Sequence, residues 1–280
     1  MTRLDHDDVV ASLDELPSLP AVVMELLNSI DQEEVDIAVL ARKVSLDQAL
    51  TAKTLRLANS SLYGLQVKVT TIAQAITYLG LQTTRNLITA AALTGCFAEN
   101  GCAGFDHKAF WRHSIATATC AKLLARHVRF NQDYAFTGGL LHDIGRLVLV
   151  SGFPGQYAET IAWRAAHDTL LLDAERAVLG IDHVDAGLAL ADHWNFSDTM
   201  RLAIAGHHAP EQPGAGFLAT IIHVADAIAH ALDIAQVPGE LVPPVSNVAW
   251  DALALDEATC RQLLQETETQ YREIEQVLLG

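Results

Sequence analysis

The chain has 280 residues, half of them hydrophobic and only 6% aromatic, with more than forty alanines. That is enough apolar surface for one large domain or two lobes, it excludes global disorder, and small apolar residues at this density suit packed helices better than sheets. Lys and Arg total 18 against 34 Asp and Glu, a formal charge of −16, which argues against nucleic acid or an anionic membrane as a partner of the overall field. Cys96, Cys102, Cys120 and Cys260 form no CxxC pair and read as reduced thiols of a cytosolic protein. The acidic N-terminus lacks the apolar core of a signal peptide, and the stretch from Leu87 to Ala98 is too short to span a bilayer. The expectation is a cytoplasmic, all-α protein with an unusual store of twelve histidines.

Hydrophobic spacing is helical nearly throughout. Leu16-Pro17-Ser18-Leu19-Pro20 is a rigid turn into an amphipathic segment that runs to about Ile30. Asp36 caps a helix to about Val44, and Ser45-Leu46-Asp47-Gln48 reads as a capping box for the next, which ends near Asn59-Ser60. A helix from about Thr71 to Leu79 follows Gly64, and another follows Gly80 and ends near Phe97. The polar, glycine-containing stretch 99–107 is the boundary candidate. Further helices are expected at 108–127, 133–151, 154–167, 170–179, 182–194, 197–207 and 217–233. Pro238, Gly239, Pro243 and Pro244 mark a loop over 236–246. A last helix from about Asp256 to Leu279 is acidic and reads as solvated or partner-facing. The expected organisation is an N-terminal helical lobe over 1–105, a second helical lobe over 106–235, and a loop with the acidic helix over 236–280.

The chemistry concentrates in the second lobe. His142, Asp143 and Arg146 lie inside an apolar helical run that also contains Gly138, Gly139 and Gly145. Three glycines there cost roughly 3 kcal/mol of helix propensity, so close helix approach or a ligand should compensate. The dyad alone would be a satisfied core pair, but other histidines accompany it. His113 precedes it, His183 opens a later helix, and His207 and His208 close another. In the apolar segment 219–230, His223, Asp226 and His230 share one helix face. A buried aspartate needs a histidine, an arginine or a metal, and histidine with carboxylate is a ligand set for divalent metals. His223 and His230 are expected to be structural, as is His193.

His113, His142-Asp143 and Asp226 follow the H…HD…D order of the HD superfamily of metal-dependent phosphohydrolases. The chain resembles more closely the HDOD (HD-related output domain) family, over essentially its whole length. The resemblance is carried by Leu16-Pro17-Ser18-Leu19-Pro20, by Leu55 to Gly64, and by Ile72 to Gly80. It continues in Gly138-Gly139-Leu140-Leu141-His142-Asp143-Ile144-Gly145, in Ala186 to Trp194, and in Ala203 to His208. It implies an all-α, two-lobed output domain of bacterial signal transduction, its second lobe of HD type. A more distant similarity to HD-GYP cyclic di-GMP phosphodiesterases adds His183, His207 and His208 as metal ligands. The pattern departs from those enzymes at three points: Arg146 stands where they carry lysine, Ala109 where they have a ligand glutamate, and no GYP follows His208.

Two readings follow from the resemblance. One is a signalling output module that acts through a protein partner or a small phosphorylated ligand such as a nucleotide, with a retained divalent metal (Fe, Mn, Zn or Mg). The other is a metal-dependent phosphohydrolase in which His113, His142, Asp143 and Asp226 hold the metal, Asp143 and Arg146 serve in catalysis, and Arg112 assists with phosphate. A third reading, nucleic-acid binding through the helix pair between Asp36 and Ala58, ranks last, because four basic residues make no footprint on so acidic a chain.

Overall fold

Many of the helices begin where a short polar side chain closes the first turn. Asp5, Asp36, Asp47, Thr71, Asp106, Asn131, Asp182, Ser246 and Asp256 each accept a backbone N–H two or three residues ahead, an arrangement worth about 1 kcal/mol per cap. The computed structural model describes residues 3–16, 19–28, 36–97 and 101–279. Pro17 and Ser18, the end of the expected segment near Ile30, and part of the 99–107 connector lie outside the described residues.

The chain runs α1 (His6–Leu13), α2 (Ala21–Asn28), α3 (Ile37–Ser45), α4 (Gln48–Ala58), a 3-10 turn over Ser61–Tyr63, α5 (Ile72–Leu79) and α6 (Leu81–Cys96). It continues through α7 (His107–His127), α8 (Gln132–Leu141), α9 (Ile144–Gly152), α10 (Pro154–His167), α11 (Leu171–Val178) and α12 (His183–His193). The last elements are α13 (Asp198–Gly206), α14 (Gly216–Ala231), α15 (Asn247–Ala252) and α16 (Glu257–Leu278). Among the described residues there is no strand and no helix long and apolar enough to cross a membrane. The all-α expectation holds.

At the centre of the second half lies α7, buried along most of its length from Ala109 to Ala125. Helices α8, α14 and α16 pack against it, while α9 and α12 form a second pair and α13 bridges α12 to α14. In the first half α4, α5 and α6 pack together and α6 reaches α8. Helix α1 crosses over to α9 and α12.

Three expectations are corrected. The apolar run 133–151 is not one helix: it breaks at His142-Asp143 between α8 and α9, where Asp143 has φ −101° and ψ 12°. Its hydrophobic periodicity continues through the break, so spacing alone could not reveal it. The α4 cap is Asp47 and not Ser45, whose hydroxyl instead donates back to the Ala41 carbonyl. And α16 is not simply solvated. Leu263, Thr267, Tyr271, Ile274 and Leu278 recur every three or four residues and are buried against α7, α4 and α6, while Glu275 and Glu266 pair with Arg112 and Arg126 of α7.

The glycines around the break are explained by close packing. A methyl group at Gly139 would stand 2.7 Å from the Ala118 Cα, and one at Gly145 would stand 1.9 Å from the His183 carbonyl oxygen and 2.4 Å from the Gly187 nitrogen. These obstacles are backbone and cannot swing aside. Gly145→Ala is therefore expected to destabilise the protein by about 2–4 kcal/mol, whereas Gly155→Ala, with open space around the new methyl, should change stability by at most about 1 kcal/mol. Chemical denaturation of the two variants checks the contrast.

Candidate metal centre

Five segments deliver histidine and aspartate side chains to one buried place. His113 projects from the second turn of α7, His142 and Asp143 from the α8–α9 break, and His183 from the first residue of α12. His207 and His208 follow the end of α13, and Asp226 with His230 come from one face of α14. The break explains how adjacent residues can both point inward: His142 ends one helix and Asp143 precedes the next, so the 100° between neighbours on a continuous helix does not apply. Every residue expected from the sequence as a metal ligand is in this cluster.

Asp143 Oδ1 lies 3.3 Å from His183 Nε2, 3.6 Å from His142 Nε2 and 3.6 Å from His207 Nε2. Asp226 Oδ1 lies 2.9 Å from His113 Nε2, 3.6 Å from His142 Nε2 and 3.4 Å from His230 Nε2. The ring nitrogens also meet each other: His113 and His142 are 3.3 Å apart at Nε2, and His183 and His208 are 2.9 Å apart. His142 and His207 are wholly buried, and His113, His183, Asp143 and Asp226 nearly so.

The outer nitrogens show how these rings are oriented. His142 Nδ1 is 2.7 Å from the Gly139 carbonyl, His207 Nδ1 is 2.8 Å from the Ile204 carbonyl, and His183 Nδ1 is 2.6 Å from Glu175 Oε2. Each Nδ1 donates, which in the neutral ring leaves the Nε2 lone pair facing inward. Where such a nitrogen meets another ring nitrogen, as His142 meets His113 and His183 meets His208, a shared proton or a cation is needed between them. His207 Nε2 is buried and too far from Asp143 for a hydrogen bond. The donor set and this orphaned nitrogen fit a divalent metal. Three overlapping groups could hold one: Asp143 with His183, His207 and His208; His113 with His142 and Asp143; and His113 with Asp226 and His230. Asp143 belongs to two of the three.

Electrostatics follow from the crowding. Burial alone would raise the pKa of Asp143, but His142, His183, His207 and Arg146 hold it well below the usual carboxylate range. Asp226 behaves likewise, with His230, His113 and His142 overcoming burial. Burial would lower His183, yet Glu175 and Asp143 push it up to about 9. His208 is lowered, first by burial and then by the neighbouring His207 and His183.

A supporting ring surrounds the cluster. Glu175 is wholly buried, accepts the Tyr157 hydroxyl at 2.8 Å, and also accepts the His183 backbone N–H at 2.9 Å. Arg146 donates to Asp143 Oδ2 at 3.0 Å and lies over the Phe110 and Phe105 rings. His223 donates from Nδ1 to the His207 carbonyl and accepts the Ser246 N–H at Nε2, the satisfied core histidine expected from its sequence. His230, expected to be structural, instead faces Asp226. The i, i+4 spacing was the available signal. Glu175, Tyr157, Arg164 and Glu240 carry no motif, and nothing local in the sequence marks them.

Beside the cluster is a cavity of about 140 Å³ bordered by Asp143, Arg146, Arg164, His208, His230 and Glu240. The loop over 236–246 covers it, with Leu241, Pro243 and Pro244 on the lining. Glu240 is placed between Arg164 Nη1, at 3.7 Å, and His230 Nδ1, at 3.5 Å. Burial would raise its pKa, but His230, with Arg146 and His113, brings it down to about 2.

Known proteins share this architecture. A candidate phosphohydrolase from Shewanella amazonensis is 30% identical, covering 97% of this chain and 98% of its own, with a TM-score of 0.77. A candidate signal-transduction protein from Marinobacter aquaeolei is 22% identical over 98% of this chain and 65% of its own, with a TM-score of 0.78, a likeness of fold. A Treponema pallidum protein of no stated activity is 25% identical over 206 residues, 71% of this chain and 40% of that protein. The chain spans less than half the length of the curated relatives it matches. Residues 16–210 match the HDOD domain, in keeping with the ordered motifs, the helical architecture and the buried His/Asp cluster, and the chain belongs to the HDOD domain family.

Proposed function

We propose that this chain is a signal-transduction output module that holds a divalent metal in its HD-type lobe and takes up a small phosphorylated ligand beside it. One observation carries the reading: ring nitrogens of buried His113, His142, His183 and His207 and of half-buried His208 converge on Asp143 and Asp226. A divalent ion there would supply positive charge for phosphate oxygens and lower the pKa of a bound water. His183, His207, His208 and Asp143 form one ligand group; His113, His142 and Asp226 supply the other side, with Asp143 between them. Glu175 orients the His183 ring, and Arg146 presents its guanidinium to the cavity while fixed on Asp143. At about 140 Å³ the cavity is below the roughly 300 Å³ at which small-molecule pockets begin, so it suits a phosphate group and not an enclosed dinucleotide. A signalling protein partner belongs to the same reading; Ile37 and Leu46 of the first lobe are exposed and offer it a surface.

A second reading, a metal-dependent phosphohydrolase, is favoured by one contact. Arg146 rests on Asp143, which is shared between two ligand groups. In that geometry Arg146 would grip phosphoryl oxygens by its guanidinium fork, beside the carboxylate that positions the reacting water. Ala109, on α7 one turn before His113, offers no carboxylate where the phosphodiesterases it resembles have one.

Metal analysis of protein purified without a histidine tag is expected to find at least about half an equivalent of Fe, Mn or Zn, or to reach it on reconstitution; less than about a tenth would overturn the metal reading. Glu175→Gln should keep the fold and weaken metal affinity about 10–100-fold, as loss of an outer-shell carboxylate does, measured by competition with a chelator. Phosphodiester and nucleotide hydrolysis, assayed for wild type and Asp143→Ala, separates the two readings. Turnover lost in the variant supports the hydrolase, and none in the metal-loaded wild type supports the module.

A further inference from the structure

The cavity mouth contains more positive charge and more donors than its occupant uses. Arg164 of α10 and Arg146 of α9 both border it, and the Nε of each is buried without a hydrogen-bond partner. Among the described residues that border this cavity, Glu240 is the acidic group outside the cluster's ligands. Glu240 reaches Arg164 with one oxygen at 3.7 Å and His230 with the other at 3.5 Å. Both distances are long for charge-assisted bonds, which lie near 2.7–2.9 Å. A flat carboxylate with two oxygens therefore engages this site poorly. A tetrahedral dianion with four oxygens could accept from both guanidinium groups at once.

The segment that brings Glu240 here is lightly held. It is the middle of the loop between α14 and α15: Leu241 and Val242 are 37% and 53% exposed, whereas Ala235 is buried and Leu232, Ile234 and Val245 pack on the core at the two ends. Little apolar surface would be returned to water if residues 236–244 alone lifted, since Val237 and Pro243 are the half-buried apolar side chains among them. Its further attachments are at Ser246, whose N–H donates to His223 and whose hydroxyl meets Glu211. That anchor is at the far end of the loop, six residues beyond Glu240, so the Glu240 end can leave without releasing it.

We infer that Arg164 and Arg146 form a phosphate subsite, that Glu240 occupies it as an internal stand-in, and that a phosphate-bearing ligand displaces Glu240 and lifts the loop. This rests on the phosphorylated-ligand reading above but needs no metal to be tested. The shared chemistry is a phosphate dianion, as the free ion or as a phosphomonoester.

The test is calorimetric titration of the full, metal-stripped chain at constant low ionic strength with inorganic phosphate and, separately, with adenosine monophosphate. Glu240→Gln is expected to tighten phosphate binding about tenfold, and Arg164→Met to weaken it about tenfold or more, the scale of one charged hydrogen bond. Phosphate should also speed proteolysis of the 232–246 loop in wild type, while Glu240→Gln is cut readily without it. Response to phosphate alone assigns the free ion, and a stronger response to the nucleotide assigns a monoester. Equal phosphate affinity in wild type and Glu240→Gln, or weaker binding in the variant, overturns the proposal. Circular dichroism checks folding; should Arg164→Met not fold, Glu240→Gln alone decides. A chain that retains no metal yet responds to Glu240→Gln keeps this subsite and loses the metal reading, and a metal-loaded chain indifferent to Glu240→Gln does the reverse.

Discussion

Two aspartates buried in an apolar helical bundle set the terms for the rest of this structure. An ionised carboxylate without compensation in such surroundings costs several kcal/mol. Asp143 and Asp226 are each compensated by at least three imidazoles drawn from different helices. Those rings must arrive at one point, which requires α7, α9, α12, α13 and α14 to approach closely there. The glycines at 139 and 145, the break between α8 and α9, and the burial of nearly all of α7 are consequences of that convergence. The outer ring of Glu175, Tyr157 and Arg146 extends the same logic one layer further, since each inner group needs a partner on its other side.

Much of this was legible in the sequence, for physical reasons that differ by element. Helices with a strong apolar stripe and a polar cap, such as α5, α7 and α12, are found within a residue or two because spacing and capping are local properties. The α8–α9 break is not, because Leu140, Leu141, Ile144 and Leu147 keep helical spacing across it while the backbone turns to direct His142 and Asp143 inward. For α16 the sequence shows its charge plainly and its buried stripe faintly, since five inward residues are diluted among eight carboxylates of the tail. The distinction between α16 as solvated helix and as packed wall is a tertiary fact.

The site divides in the same way. His113, His142, Asp143, His183, His207, His208 and Asp226 carry motif information, and they gather in one cluster. His230 looked like a structural residue because a histidine on an apolar helix usually is, and only the position of Asp226 one turn away changes that. Glu175 and Tyr157 are ordinary residues on amphipathic helices until tertiary packing brings them under His183. Glu240 and Arg164 are 76 residues apart in sequence and meet only because a proline-bearing loop folds back over α10 and α14. No local pattern encodes such a meeting.

The contact at Gly145 fixes one spacing within the cluster through the backbone. Where α9 and α12 touch backbone to backbone, Asp143 and His183 are carried by what is in effect one solid piece, and their separation cannot breathe. His230 belongs to the last turn of α14, where its ring lies 4.4 Å from that of His113 through side-chain contact alone. A guest at this centre would have to fit the Asp143–His183 spacing, because two helix backbones in contact set that distance and leave the side chains no room to adjust it.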